Sequence, residues 1–257
     1  MIDIHCHILP GLDDGARSIE ESMQMCRMSY QDGVRKVVAT PHTLNGTYQN
    51  NRSTILSKVR ELNTILKKIN QLNEMEELDP IDLVVLPGAD VHFSEDIIDQ
   101  LDEGRAITIR DGGRFLMLEF PSYGIPYRVE DVLFQLISRR IIPIISHPER
   151  NLEIVHRPKR YYEMIRMGCL GQVTALSLEG GFGPAVKRVA EKLIRKRLIH
   201  FIASDGHSAD ARPPILSDAL KAAEGILGKE EASKMVNEYP QAVLEGRMPN
   251  VPDPRPI

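Results

Sequence analysis

Short, almost uninterrupted apolar runs recur along the chain. Between them lie stretches whose apolar positions fall three or four residues apart. The runs at 2–5, 36–39, 83–86, 115–119, 141–145, 170–173 and 198–203 are rich in Val, Ile and Leu and nearly free of charge. That is the pattern of strands covered on both faces. The intervening stretches predict helices over 19–32, 51–73, 94–101, 129–139, 160–167, 185–196 and 213–227, with a last one from about 229. Ser18 with Glu21 three residues on marks the start of the first. Ile55, Val59, Leu62, Leu66 and Ile69 give the second its apolar stripe.

Seven strand–helix pairs in succession imply a parallel sheet. At 257 residues the chain has the length of a closed α/β barrel. An open doubly wound sheet is the alternative, but no glycine-rich phosphate loop follows the first strand. No change of composition divides the chain. The reading is one domain over 1–248, followed by a Pro-rich tail at 249–257.

Composition narrows the function classes. Hydrophobic residues make up 42% and charged residues 26%, an ordinary globular balance that excludes a disordered or coiled-coil chain. The net charge of −4 argues against sequence-independent nucleic-acid binding. No run approaches a membrane span and no secretory leader is visible, so no membrane insertion is expected. Cys6, Cys26 and Cys169 are too few for a disulfide framework in so long a chain, and the expected location is cytoplasmic.

The histidines and carboxylates are not scattered. His5 and His7 close the first strand, two residues apart and therefore on one face. Asp13 and Asp14 follow in the next loop. His42 (in Thr-Pro-His), Asp90 (Gly-Ala-Asp), Glu119 (Leu-Glu-Phe), His147 (Ser-His-Pro-Glu-Arg), Asp205 and His207 (Ala-Ser-Asp-Gly-His) each stand at or just past the end of a predicted strand. Loops at that end of an α/β barrel build its active site. Imidazoles and carboxylates without a thiolate cluster suit Zn, Mn or Fe. His5, His7, Asp14, His42, Asp90, Glu119, His147, Asp205 and His207 are nine candidate ligands, enough for two or three divalent ions. His92 lies two residues past Asp90 and is left open. His156 and His200 read as structural or surface residues.

Arg150 and Arg212 fall close to these motifs. A guanidinium offers a planar fork of donors suited to phosphate oxygens, which points to a phosphate ester substrate. The alternative is a pair of loop arginines in surface ion pairs.

With these motifs in place the sequence resembles the PHP (polymerase and histidinol phosphatase) superfamily. Within it, Ile-Asp-Ile-His-Cys-His-Ile-Leu-Pro-Gly-Leu-Asp-Asp-Gly-Ala-Arg-Ser-Ile-Glu-Glu-Ser, Asp-Gly-Val-Arg at 32–35 and Arg-Pro-Pro after the last motif are similar to the bacterial capsule and exopolysaccharide tyrosine-protein phosphatases. The resemblance implies a distorted (β/α)7 TIM-like barrel. It implies two or three divalent ions, Mn foremost with Fe or Zn as alternatives. His5, His7 and Asp205 would hold one ion, Glu119 and His147 a second, and Asp14, His42 and His207 a third. Asp90, where the family has Glu, would bridge the first two. The implied reaction is hydrolysis of phosphotyrosine by metal-activated water, with Arg150 and Arg212 on the phosphoryl group and Asp205 and His207 placed to assist. The implied partner is an autophosphorylated tyrosine kinase with a Tyr-rich tail that controls polysaccharide export.

Three other readings use the same residues. A small-molecule phosphatase of the histidinol-phosphate type would share every ligand. A metal-dependent amidohydrolase usually carries a bridging lysine where Glu119 stands. A non-enzymatic scaffold would have lost ligands. A thiolate mechanism needs an arginine six residues past a cysteine, and Leu12, Asp32 and Ala175 occupy those places. The first helix, with Glu20, Glu21 and Arg27, is a candidate homo-oligomer surface.

Overall fold

The computed structural model describes residues 1–76 and 79–257. Its strands are β1 (Ile2–Cys6), β2 (Lys36–Ala39), β3 (His42–Thr43), β4 (Val84–Pro87), β5 (Asp90–His92), β6 (Phe115–Glu119), β7 (Ile142–Ser146), β8 (Leu170–Thr174) and β9 (Phe201–Ala203). The helices are α1 (Ile19–Gln31), α2 (Arg52–Met75), α3 (Ile97–Asp102), α4 (Val129–Ser138), α5 (Leu152–His156), α6 (Lys159–Met167), α7 (Ala175–Glu179), α8 (Pro184–Arg195), α9 (Ser217–Leu227), α10 (Lys229–Lys234) and α11 (Glu238–Leu244).

All strand pairs are parallel, in two sheets ordered β1-β2-β4 and β3-β5-β6-β7-β8-β9. The sheets do not close into one hydrogen-bonded ring. Two of the expected strands are each split. Pro41, which lacks an N–H, separates β2 from β3, and Gly88 and Ala89 separate β4 from β5. The short pieces β3 and β5 then pair in the second sheet. The free edge of β4 is covered by α2: the Asn63 amide donates to Val85 O (2.8 Å) and accepts from Val85 N–H (3.0 Å). Asn70 does the same for Ile81. Side-chain amides thus satisfy a strand edge that would otherwise seek another chain. On the other side, β1 and the chain after β9 meet at one bridge, Cys6 with Gly206.

Every residue of β1, β7 and β8 is buried, as double-sided coverage requires. The helices obey the sequence signals. Ser18 accepts from Glu21 N–H at 3.3 Å, and Asn51 caps α2 through Thr54 N–H. Ile55, Val59, Leu62 and Leu66 are the buried stripe of α2, with Ile69 half-buried. The short α5 and α7 are additions to the sequence reading; five residues are too few for a visible periodicity. Residues 249–257 carry no helix or strand, yet Arg255 N–H donates to Lys196 O at 2.8 Å. No described helix is long and apolar enough to cross a membrane.

Gly171 in β8 marks the tightest packing under the site. A Cβ there would lie 2.1 Å from the Tyr161 hydroxyl and 2.5 Å from the Leu198 carbonyl, which themselves share a buried hydrogen bond. Gly171→Ala is therefore expected to lower stability by about 1–3 kcal/mol, the cost of overpacking a core. Urea unfolding of the variant beside the parent checks it.

Candidate metal centre

Strand register does the assembling. His42 is paired with Asp90 across β3–β5, and His92 with Glu119 across β5–β6, so these side chains stand abreast. At the β1–β9 junction Asp205 N–H donates to His5 O and His7 N–H to Gly206 O, both at 2.8 Å. That lays His5 and His7 against Asp205 and His207. His147 and Asp205 both adopt left-handed backbone, φ 34° and 51°, which turns each sharply out of its strand.

All nine candidate ligands meet at this one face. From His5 Nε2, Asp90 Oδ2 lies at 3.7 Å and Asp205 Oδ1 at 3.6 Å. His7 Nε2 is 3.4 Å from Asp205 Oδ1. His42 lies 3.6 Å from Asp90, 3.5 Å from Glu119 and 3.7 Å from Asp14. His147 Nε2 is 3.6 Å from both Asp90 Oδ2 and Glu119 Oε1. His207 reaches Asp14 at 3.7 Å and Asp205 at 3.6 Å. Among the described residues the ligand atoms form three overlapping groups: His7, Asp14, His42 and His207; His5, His7 and Asp90; His42, Asp90 and Glu119.

These spacings are too long for good hydrogen bonds and lie within, or about 0.1–0.2 Å beyond, the separation of two ligands on one ion. Two ligands about 2.1 Å from one ion, at angles of 90–110°, stand about 3.0–3.5 Å apart. Asp90 gives the sharper test. Its carboxylate is fully buried, yet neither oxygen accepts a hydrogen bond. A buried, unpaired carboxylate is strongly disfavoured unless a cation lies beside it. The neighbouring imidazoles pull its pKa down against the effect of burial, with His5 foremost.

The residues behind the ligands orient them. Gln172 Oε1 faces His5 Nδ1 at 3.0 Å. Asp13 Oδ2 lies 2.6 Å from His7 Nδ1 and also accepts from His42 N–H at 2.8 Å. His207 Nδ1 bonds Asp205 O at 2.8 Å. In each case the far nitrogen, Nε2, is left for the cluster, the arrangement metal-binding histidines use. Burial pushes His5 down to about 4 and, with repulsion from His7, pushes His207 down to about 2. Both are neutral at pH 7, the state that ligates. Burial also works against a charge on His7, but Asp13 and Asp205 outweigh it and raise its pKa to about 10. A divalent ion at that place competes with the proton.

Both arginines reach the same group. Arg150 and Arg212 each donate to Asp205 Oδ2 at 2.7 Å, and the Thr174 hydroxyl donates to it at 3.2 Å. They do make ion pairs, but with a site carboxylate and not on the surface. Burial raises the Asp205 pKa, while Arg150 and the histidines hold it well below the usual carboxylate range. The cavity in front, about 220 Å³, is lined by Arg150, Arg212, Asp14, Glu119, His147 and Ser122 among others. A larger cleft of about 690 Å³ lies between α2 and residues 80–84 and has no histidine in its lining.

Of the remaining histidines, His92 Nδ1 faces Glu119 Oε2 at 3.3 Å. His156 is exposed. His200 is buried away from the cluster, accepts from Gly171 N–H at 3.0 Å, and is pushed by burial down to about 3. The sequence reading passed over Gln172, Thr174 and Phe182, and gave Asp13 no role of its own. Gln172 and Thr174 had a signal, since polar residues interrupt an apolar strand there. So did Phe182, a lone aromatic among three glycines.

Residues 1–245 match the family model "Capsular polysaccharide synthesis, CpsB/CapC". The tyrosine-protein phosphatase YwqE of Bacillus subtilis is 34% identical over 257 residues, 100% of this chain and 96% of that one. The putative tyrosine-protein phosphatase CapC of Staphylococcus aureus is 36% identical over 216 residues, 84% of this chain and 80% of that one. A crystal structure described with YwqE from B. subtilis and CpsB from Streptococcus pneumoniae, "unique metal-dependent tyrosine phosphatases", superposes with a TM-score of 0.92 at 34% identity. It covers 100% of this chain and 99% of that one. Matched to the family model over residues 1–245 and 34% identical to YwqE over its full length, the chain belongs to the CpsB/CapC capsular polysaccharide synthesis family.

Proposed function

We propose that this protein is a metal-dependent protein-tyrosine phosphatase. The observation that carries the reading is Asp205. One of its oxygens faces three histidines of the ligand cluster, and the other holds two guanidiniums at the cavity wall. Electrophile and phosphate-binding cations are thus set side by side, as a phosphoryl transfer site needs.

The ligand sets are those the family resemblance implies: His5, His7 and Asp205; Glu119 and His147; Asp14, His42 and His207; with Asp90 between the first two. Two or three divalent ions, Mn foremost with Fe or Zn as alternatives, suit these donors. When bound, such ions supply Lewis acidity and lower the pKa of water. Arg150 and Arg212 bind the phosphoryl oxygens. Arg150 Nε is buried without a hydrogen-bond partner. Asp205 fixes the direction of both arginines before substrate arrives. A phenol, with a pKa of about 10, leaves more readily than an alkyl alcohol, so phosphotyrosine places little demand on a general acid. The fold that goes with this reading is a distorted barrel of seven βα units, and the all-parallel pairing within both sheets supports it. The substrate class is an autophosphorylated tyrosine kinase with a Tyr-rich tail, met in the cytoplasm.

A cysteine nucleophile has no support. Cys6, Cys26 and Cys169 are buried, and burial pushes Cys26 and Cys169 up to about 12. Chelation is expected to abolish hydrolysis of a phosphotyrosyl peptide and added Mn(II) to restore it. Iodoacetamide on the native enzyme is expected to leave the rate unchanged. The reverse pattern would overturn the metal mechanism. A higher kcat/KM for histidinol phosphate than for the peptide would overturn the substrate class.

A further inference from the structure

One aromatic side chain lies against both arginines. The Phe182 ring lies 5.0 Å from the Arg150 guanidinium carbon and 5.6 Å from that of Arg212, measured to its centroid. Both distances fall within cation–π range. Two guanidiniums sharing one carboxylate oxygen repel each other, and the negative face of an aromatic ring offsets part of that repulsion.

The loop that presents Phe182 is built to hold it. It runs Gly180-Gly181-Phe182-Gly183 between α7 and α8, closed by Gly183 N–H to Gly180 O at 2.8 Å. Gly180 and Gly183 have φ of 96° and 90°, and a Cβ on Gly181 would meet Leu176 at 2.4 Å. No other residue fits this turn without strain. The loop is also anchored to the segment that carries Arg150. Glu149, fully buried, accepts from Thr174 N–H at 3.1 Å and from the Ser177 hydroxyl at 2.6 Å, at the start of α7. The helix that leads into the loop is thus tied to the residue next to Arg150.

We propose that Phe182 is a positioning residue that holds Arg150 and Arg212 side by side to receive the phosphoryl group. This rests on the reading of the two arginines as phosphate ligands. Among the described residues the ring pairs with the two guanidiniums and with no ligand histidine, so its removal is expected to act on oxyanion affinity and to leave metal content alone.

The test compares Phe182→Ala, Phe182→Leu and Phe182→Tyr in the metal-loaded enzyme. Inorganic phosphate as competitive inhibitor, kcat and KM on an aryl phosphate, bound metal and thermal unfolding are measured together. Ala and Leu are both expected to raise the phosphate Ki and the KM about fivefold or more, with metal content unchanged. Tyr, which keeps the ring, is expected to stay within about twofold of the parent. A Leu variant equal to the parent would show that bulk suffices and overturn the proposal; so would an unchanged Ki in the Ala variant. Arg150→Ala separates the two readings. If it raises Ki while Phe182→Ala does not, Phe182 alone is wrong. If it leaves Ki unchanged, the arginine reading fails and takes the proposal with it.

Discussion

Asp205→Asn is expected to lower kcat on an aryl phosphate by about 10³-fold or more, beyond the loss from removing either arginine. The amide keeps the shape and removes the charge that serves two purposes. Oδ1 faces His5, His7 and His207 at 3.6, 3.4 and 3.6 Å, while Oδ2 receives Arg150 and Arg212 at 2.7 Å each. The NH2 of asparagine either turns a donor toward the guanidiniums or turns one toward the ligand cluster. In the first case the arginines lose their anchor. In the second a ligand is lost, and metal affinity falls by about 10–100-fold or more. Steady-state kinetics with metal content on the same samples checks it. A variant within about threefold of the parent, fully metallated, would mean that Asp205 only buttresses the fold.

His147→Ala is expected to behave differently. It removes a group facing both Asp90 and Glu119 at 3.6 Å, with a side chain 13% exposed at the cavity wall. One ion should be lost, and turnover should fall at least about 10²-fold. The fold should survive, because the side chain is no part of the apolar core. Elemental analysis, circular dichroism and activity on one preparation decide it. Near-native activity with full metal would remove His147 from the ligand set.

Much of this was legible in the residues. The buried strands announced themselves because a sheet covered on both faces admits few charges. The candidate ligands announced themselves because most stand at or just past the end of a predicted strand, at the same end of successive units. What the sequence hid were contacts between segments distant in the chain. That Pro41 and Gly88–Ala89 split two strands depends on the partner β3 and β5 find in the second sheet, beyond any local pattern. That Asn63 and Asn70 close the edge of β4 depends on how α2 lies against it. The sequence leaves the arginines between a phosphate role and surface ion pairs, because their common partner, Asp205, lies 55 residues from Arg150. Phe182 carries a composition signal, but only its distances to two guanidiniums give that signal meaning.

Under the proposed ligand sets, the gap between the two sheets would give the ion positions unequal tasks. Glu119, His147 and Asp90 all come from the six-stranded sheet or the loop that follows it, so an ion among them sits within one slab. His5 and His7 come from the end of the three-stranded sheet, whereas Asp205 and His207 follow the last strand of the other. Ions held there under those sets would stitch a seam that, among the described residues, the backbone fastens at the Cys6–Gly206 bridge. Under the proposed ligand sets, emptying the first kind of position costs rate, while emptying the second also loosens the joint between slabs. Metal supply would then set how firmly the molecule is closed as well as how fast it works.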